Sequence, residues 1–292
     1  MTRTEPLTFT RDHTLTSTES RLRAVHLALA YDKRSISRDL SVTIPDGSFT
    51  VIIGPNACGK STMLRGLSRL LKPEAGQVVL DGRSIHEYPI KEVARRLGLL
   101  PQSSIAPDGI RVADLISRGR YPYQNLIKQW TETDEAAVSE AMDATGVRNL
   151  SDRLVDELSG GQRQRVWVAM ALAQQTDILL LDEPTTYLDL THQIELLELF
   201  TDLHHSGRTL VAVLHDLNQA ARYATHLIVM RDGTIVAEGD PQEVITEEMI
   251  ERVFNLPCRV VPDPVAGTPQ VVPLGRTSDQ REWPSTRSGD AR

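Results

Sequence analysis

The sequence predicts an α/β fold on a mainly parallel sheet, from three observations. The run Ile178-Leu-Leu-Leu181 is apolar without alternation, the pattern of a central parallel strand covered on both faces. From about residue 177 to 240, short apolar strands alternate with amphipathic helical patterns, including the one containing Ile194, Leu197 and Leu203. A further strand, Phe49-Thr-Val-Ile-Ile53, runs into a Gly-rich loop and then into a helical pattern.

Residues 21–56 read as short strands, with Val25, Leu27 and Leu29 expected on one face. The loop Gly54, Pro55, Asn56, Ala57, Cys58, Gly59, Lys60, Ser61, Thr62 fits G-x-x-x-x-G-K-[ST]. Met63, Leu64, Leu67, Leu70 and Leu71 then fall on one helical face. In such a setting backbone N–H groups turn inward around a phosphate, and the helix N-terminus adds positive potential. Lys60 is expected to reach the β- and γ-phosphates, and the Ser61 hydroxyl to hold Mg²⁺. The chain is therefore expected to bind a nucleoside triphosphate.

Gly76–Gly82 reads as another strand, and from about 103 to 173 the pattern turns helical and polar. Within it, Leu158, Ser159, Gly160, Gly161 and Gln162 open a helix whose inner face is expected to be Val166, Ala169, Met170 and Ala173. A Ser hydroxyl and two Gly amides at a helix start suit a second anion site. Two carboxylates, Asp182 and Glu183, close the buried strand. Arg231-Asp-Gly-Thr234 reads as a hairpin turn between Leu227–Met230 and Ile235–Ala237. Pro and Gly cluster in 257–275, which is expected to be extended.

Composition narrows the class. The chain has 292 residues, 40% of them hydrophobic, enough for one large domain or one domain with a sub-lobe. No run of 18 apolar residues occurs, so the chain is not expected to cross a membrane itself. Residues 1–20 lack the apolar segment of a secretory signal; they and 276–292 are expected to be disordered tails. Cys58 and Cys258 are too few for a disulfide framework and suit a reducing cytoplasm. With a net charge of −7 and no basic patch, no nucleic-acid partner is expected. No internal repeat is evident, and His204-His205 lacks metal-ligand spacing. Cys58 has two readings: a thiol given thiolate character by Lys60 and the loop amides, or a small buried residue without reactivity.

The pairing of two phosphate sites resembles the ATP-binding-cassette (ABC) ATPases, and the likeness covers about residues 22–275. It implies a P-loop NTPase core of ABC type with an antiparallel β sub-lobe and a helical sub-lobe at about 103–173, in one domain over 21–275. ATP would lie against Gly54–Thr62, with Tyr31 stacked on adenine; an edge-strand tyrosine is the other reading of Tyr31. Gln102, after the strand Leu97–Leu100, would sense the γ-phosphate and join Ser61 at the metal, while Asp182 supports Mg²⁺ through water. Glu183 would polarise the attacking water, and His215, after Thr209–Leu214, would be the switch histidine. Ser159, Gly160, Gly161, Gln162 and Asp189 would meet ATP held by another subunit, which implies a head-to-tail dimer of two copies.

Arg118–Pro122, Thr185–Gln193, Leu214–Ala220 with Arg222-Tyr-Ala, and Asp263–Pro269 are similar to the ATPase subunits of ferric-siderophore importers. That likeness implies an ATPase on the cytoplasmic side of the membrane, a membrane-spanning permease as partner, and indirectly an external substrate-binding protein. The same engine serving cobalamin or haem uptake, or a soluble non-transport cassette, are the alternatives. Ala57 stands where glycine is commoner, and Tyr187 where many cassettes have a small residue.

Overall fold

The computed structural model describes residues 20–31, 34–102, 105–125 and 130–275. The expected tails, 1–20 and 276–292, lie outside the described residues apart from Ser20. The chain first forms β1 (Leu22–Tyr31), β2 (Arg34–Ile44), β3 (Phe49–Ile53), α1 (Lys60–Leu67), β4 (Ala75–Leu80), β5 (Arg83–Ser84) and α2 (Ile90–Arg96). Next come β6 (Leu97–Leu100), α3 (Val112–Ser117), α4 (Glu132–Ala144), α5 (Gly160–Ala173), β7 (Ile178–Asp182), α6 (Leu190–His205) and β8 (Thr209–Val213). Then follow α7 (Leu217–Tyr223), β9 (His226–Arg231), β10 (Thr234–Gly239), α8 (Pro241–Val244), α9 (Glu247–Phe254), β11 (Cys258–Pro262) and β12 (Pro269–Pro273).

A six-stranded sheet of order β10-β9-β3-β8-β7-β6 forms the centre, parallel throughout except for the β9–β10 hairpin. Strands β3, β7 and β8 are buried along their whole length, which is why their sequences do not alternate. Their residues still divide by side. Val51, Ile53, Leu179, Leu181 and Leu210 join a core with α3–α7, while Ile52, Leu180, Val211 and Val213 join one with α1 and the first strands. On the first side Phe49 meets Phe200 edge-on, ring centroids 6.3 Å apart. A second, antiparallel sheet of order β2-β1-β4-β5 is the expected β sub-lobe. The β9–β10 turn at Asp232-Gly233 and the extended C-terminal stretch, a β11–β12 hairpin, also match expectation.

Three sequence expectations need correction. Val25 does not share the buried face of Leu27 and Leu29. A register shift after Ala24, with His26 at a φ of +50°, inserts one residue and reverses the alternation, so Leu22 and Ala24 are the buried partners. Leu70 is 66% exposed, because α1 ends at Leu67 and Arg69 turns left-handed at a φ of +68°. Met170 is only partly buried, while Val168, Trp167, Ala171 and Leu172 are buried as well. Helix α5 is thus enclosed on most sides in its second half rather than on one stripe.

Among the described residues of the 103–173 stretch are the helices α3, α4 and α5, joined by short 3-10 turns. The segment Arg118–Tyr123 ties α4 to the end of α5 and the loop that leads into β7 through a buried guanidinium. Arg120 donates to Asp134 Oδ1 (2.8 Å), the Ala173 carbonyl (2.9 Å) and Gln175 Oε1 (3.0 Å), and lies 4.0 Å from the Tyr123 ring centroid. Asp134 also caps α4 reciprocally with Thr131. Removing one partner leaves the other charge buried without its counterpart. Arg120→Met is expected to lower the unfolding free energy by about 3–5 kcal/mol in urea titration.

Candidate functional site

The central strands deliver the site to their carboxyl ends. Residues 54–59 leave β3, wrap back and enter α1 at Lys60. Gly54 is required there: its φ is +154°, and a Cβ would lie 2.2 Å from the Met230 carbonyl oxygen. Ala57 sits at a φ of +61°, a left-handed position in which glycine is less strained, so the sequence departure at Ala57 is accommodated rather than avoided.

The loop, the tips of β7 and β8, and strand β2 enclose a cavity of about 540 Å³. Asn56, Ala57, Gly59, Lys60, Ser61, Thr62, Gln102, Glu183 and His215 line it, joined by Arg34 and Ile36. The Lys60 ammonium donates to the carbonyl oxygens of Gly54 (2.8 Å) and Pro55 (2.9 Å), which fixes it at the cavity wall. His215 Nε2 lies 2.7 Å from Glu183 Oε1, so the two residues expected to act on water and γ-phosphate meet at the same mouth.

Ser61 Oγ donates to Asp182 Oδ1 at 2.8 Å. Burial pushes the Asp182 carboxyl above the usual carboxylate range, the Ser61 hydrogen bond opposes this, and the adjacent Glu183 adds to it. Ser61 and Gln102 line the cavity and Asp182 bonds Ser61, and hydroxyl, amide and carboxylate oxygens are the donor types that a small hard cation such as Mg²⁺ prefers. Among the described residues no cluster of three or more His, Cys, Asp or Glu is placed to hold a metal. The fit is therefore to an ion shared with phosphate oxygens, which it would neutralise, and not to a protein-only cage.

The other expected residues lie elsewhere. Ser159, Gly160, Gly161 and Gln162 do not line the cavity. Ser159 caps α5, its hydroxyl accepting from the Gln162 N–H (3.3 Å) while Gln162 Oε1 accepts from the Ser159 N–H (3.1 Å). Asp189 caps α6 from an exposed position, with His192 Nδ1 at 2.7 Å. Tyr31 is absent from the lining; its hydroxyl accepts from Arg65 at 3.0 Å, and it pairs across the β1–β2 hairpin with the lining residue Arg34.

Sequence reasoning missed Arg34 and Ile36. No local signal marks them, because strand β2 reaches the phosphate loop through its pairing with β1 in the second sheet. It does so closely: a Cβ on Gly59 would stand 3.2 Å from Ile36 Cγ2, and one on Gly233 only 1.8 Å from the Ile36 carbonyl oxygen.

A phosphate-binding loop, a carboxylate-tipped strand and a capped second glycine site define a cassette ATPase architecture. The family described as ABC transporter matches residues 37–186, and the chain belongs to that family. It is 58% identical to the ferric enterobactin transport ATP-binding protein FepC of Escherichia coli, over 90% of this chain and 98% of that protein. It is 55% identical to the relative named "Probable siderophore transport system ATP-binding protein YusV" of Bacillus subtilis, over 86% of this chain and 91% of that protein. The fold superimposes with a TM-score of 0.68 on the dimeric bacterial ABC transporter cassette MJ0796, at 26% identity, covering 75% of this chain and 98% of that one.

Of the two readings of Cys58, the structure favours the small buried residue. Its side chain is buried, and burial pushes the thiol up, outweighing the nearby Lys60 charge. The folded protein should therefore be alkylated at Cys58 by iodoacetamide more slowly than the unfolded chain at neutral pH, as followed by peptide mass spectrometry. Equal rates would restore the reactive-thiol reading.

Proposed function

We propose that this chain is the ATP-hydrolysing subunit that energises import of a ferric siderophore through a membrane permease. The observation that carries the hydrolytic half is the convergence of Lys60, Ser61, Glu183 and His215 on one cavity, with Asp182 bonded to Ser61 beneath its wall. The substrate class rests on the near full-length likeness to the ferric enterobactin and siderophore transport subunits.

In this reading Lys60 transfers its hydrogen bonds from its own loop carbonyls to the β- and γ-phosphates, and the loop N–H groups complete the cradle. Glu183 orients a water in line with the γ-phosphorus and accepts its proton as the oxygen–phosphorus bond forms. His215, held against Glu183, donates to the γ-phosphate, and the leaving oxygen departs with ADP. Mg²⁺ at Ser61, Asp182 and Gln102 would supply charge neutralisation. Tyr31, beside Arg34 at the rim, would cover adenine.

Ser159, Gly160, Gly161, Gln162 and Asp189 do not line this cavity; in this reading a second copy arranged head to tail would bring them to ATP. Residues 21–275 would form that ATPase domain. Closure on ATP and reopening after hydrolysis would move the helical part, which passes the motion to the permease from the cytoplasmic side. An external binding protein would deliver the chelate. Among the described residues no helix is long and apolar enough to cross a membrane, which leaves the passage itself to another subunit.

Shared sites give a mixing test. Lys60→Ala chains and Gly161→Asp chains have no intact site as separate homodimers, but their heterodimer has one. ATPase activity should reappear on mixing; none, with heterodimers shown to form, would refute the shared arrangement. In cells lacking the gene, growth should fail only when iron is supplied as a scarce chelate, and radiolabelled ferric siderophore should bind outside without entering. Loss of cobalamin uptake with siderophore uptake intact would change the substrate, and no change in any uptake would remove the transport role.

A further inference from the structure

The segment from Glu183 to Asp189 connects the hydrolytic carboxylate to the start of α6, and its backbone is strained. Glu183 has a φ of +54° and Tyr187 one of +68°, left-handed positions that neither residue type favours. Such conformations persist only where the surroundings over-determine them. Here two backbone turns, Thr186 N–H to the Glu183 carbonyl (3.2 Å) and Leu188 N–H to the Thr185 carbonyl (3.3 Å), are reinforced by glutamine amides. Gln164 of α5 donates to the Pro184 carbonyl (2.9 Å), and Gln193 of α6 donates to the carbonyls of Leu188 (3.1 Å) and Thr185 (3.4 Å).

Gln193 is itself held. Carbonyl oxygens only accept, so its NH₂ group must face Leu188 and Thr185, leaving Oε1 free to accept. That oxygen takes a hydrogen bond from Gln219 Nε2 at 2.9 Å. Gln219 lies in the first turn of α7, whose cap Asp216 binds the N–H groups of Asn218 and Gln219 at 2.8 Å and directly follows His215. The Gln193–Gln219 pair thus spans from the loop after Glu183 to the turn after His215, the two residues that meet at 2.7 Å.

We propose that Gln193 and Gln219 form an amide clasp that positions Glu183 and His215 for hydrolysis. Neither glutamine lines the nucleotide cavity, so both act through the residues they hold. The inference rests on the hydrolytic reading of Glu183 and His215. It predicts an effect on the chemical step and not on nucleotide affinity.

The test uses the full chain and steady-state MgATP hydrolysis. Methionine copies the length of glutamine without its hydrogen bonds, so Gln193→Met should lower kcat about tenfold, equivalent to about 1.4 kcal/mol on the barrier. Gln219→Met should lower kcat less, and KM for MgATP should stay within about twofold in both. The double variant should be no slower than Gln193→Met, because a clasp is lost only once. Gln219→Lys, which keeps a donor within reach of Gln193 Oε1, should recover most of the loss. Unchanged kcat in both single variants, or multiplicative losses in the double, would overturn the clasp. So would a KM that rises in step with a falling thermal midpoint, the signature of general loosening. An inactive parent chain would sink the hydrolytic reading as well, whereas an active parent with unaffected variants sinks the clasp alone.

Discussion

The parallel register of β3, β8 and β7 is the constraint on which the site depends. Ile52 pairs with Val213, and Val213 pairs with Asp182, so three buried strands end in one row. The phosphate loop begins two residues beyond Ile52, Glu183 follows Asp182, and His215 lies two beyond Val213. Residues distant in the chain reach one cavity without any long side chain bridging the gap. Open parallel sheets place ligands at the carboxyl ends of their strands for this reason, since the helices that follow aim their N-termini at the same edge.

The strand tips supply chemistry but only part of the enclosure. The β sub-lobe provides the opposite wall by laying Ile36 against Gly59 and Gly233, contacts that leave no room for a side chain at Gly233. A charged network holds that lobe in place. Arg21 bonds Asp81 at 2.6 Å and Asp177 at 3.0 Å, and Arg96 of α2 bonds Asp81 at 2.6 Å and Glu92 at 2.7 Å. These ties join the sub-lobe to the residue before β7 and to the helix before β6. Partly exposed pairs of this kind contribute little singly, and their value here is in fixing the relative position of two sheets.

Where sequence reading failed, the cause was information carried by neighbouring strands. Period-two alternation assigns Val25 to the face of Leu27, but the inserted residue at His26 is set by how β1 pairs with β2 and β4. Leu70 continues a helical stripe whose helix has already ended. The sequence leaves Cys58 with two readings, because desolvation, the property that favours the buried one over the charge of Lys60, belongs to the packed surroundings. Arg34 and Ile36 belong to no motif, because a strand enters the cavity by pairing and not by a local pattern.

The sequence by itself determined the phosphate loop, the buried strand ending in Asp182 and Glu183, the capped glycine turn at Ser159, and the order in which they occur. Those features are local: each depends on residues within a few positions, where backbone freedom and hydrogen-bonding chemistry are specified directly. Only the tertiary structure decided that His215 rests on Glu183, that Ser61 bonds Asp182, and that two glutamines from different helices meet behind them. Those are contacts between segments far apart in the chain, and their distances follow from sheet register and helix packing, which no single stretch of sequence encodes.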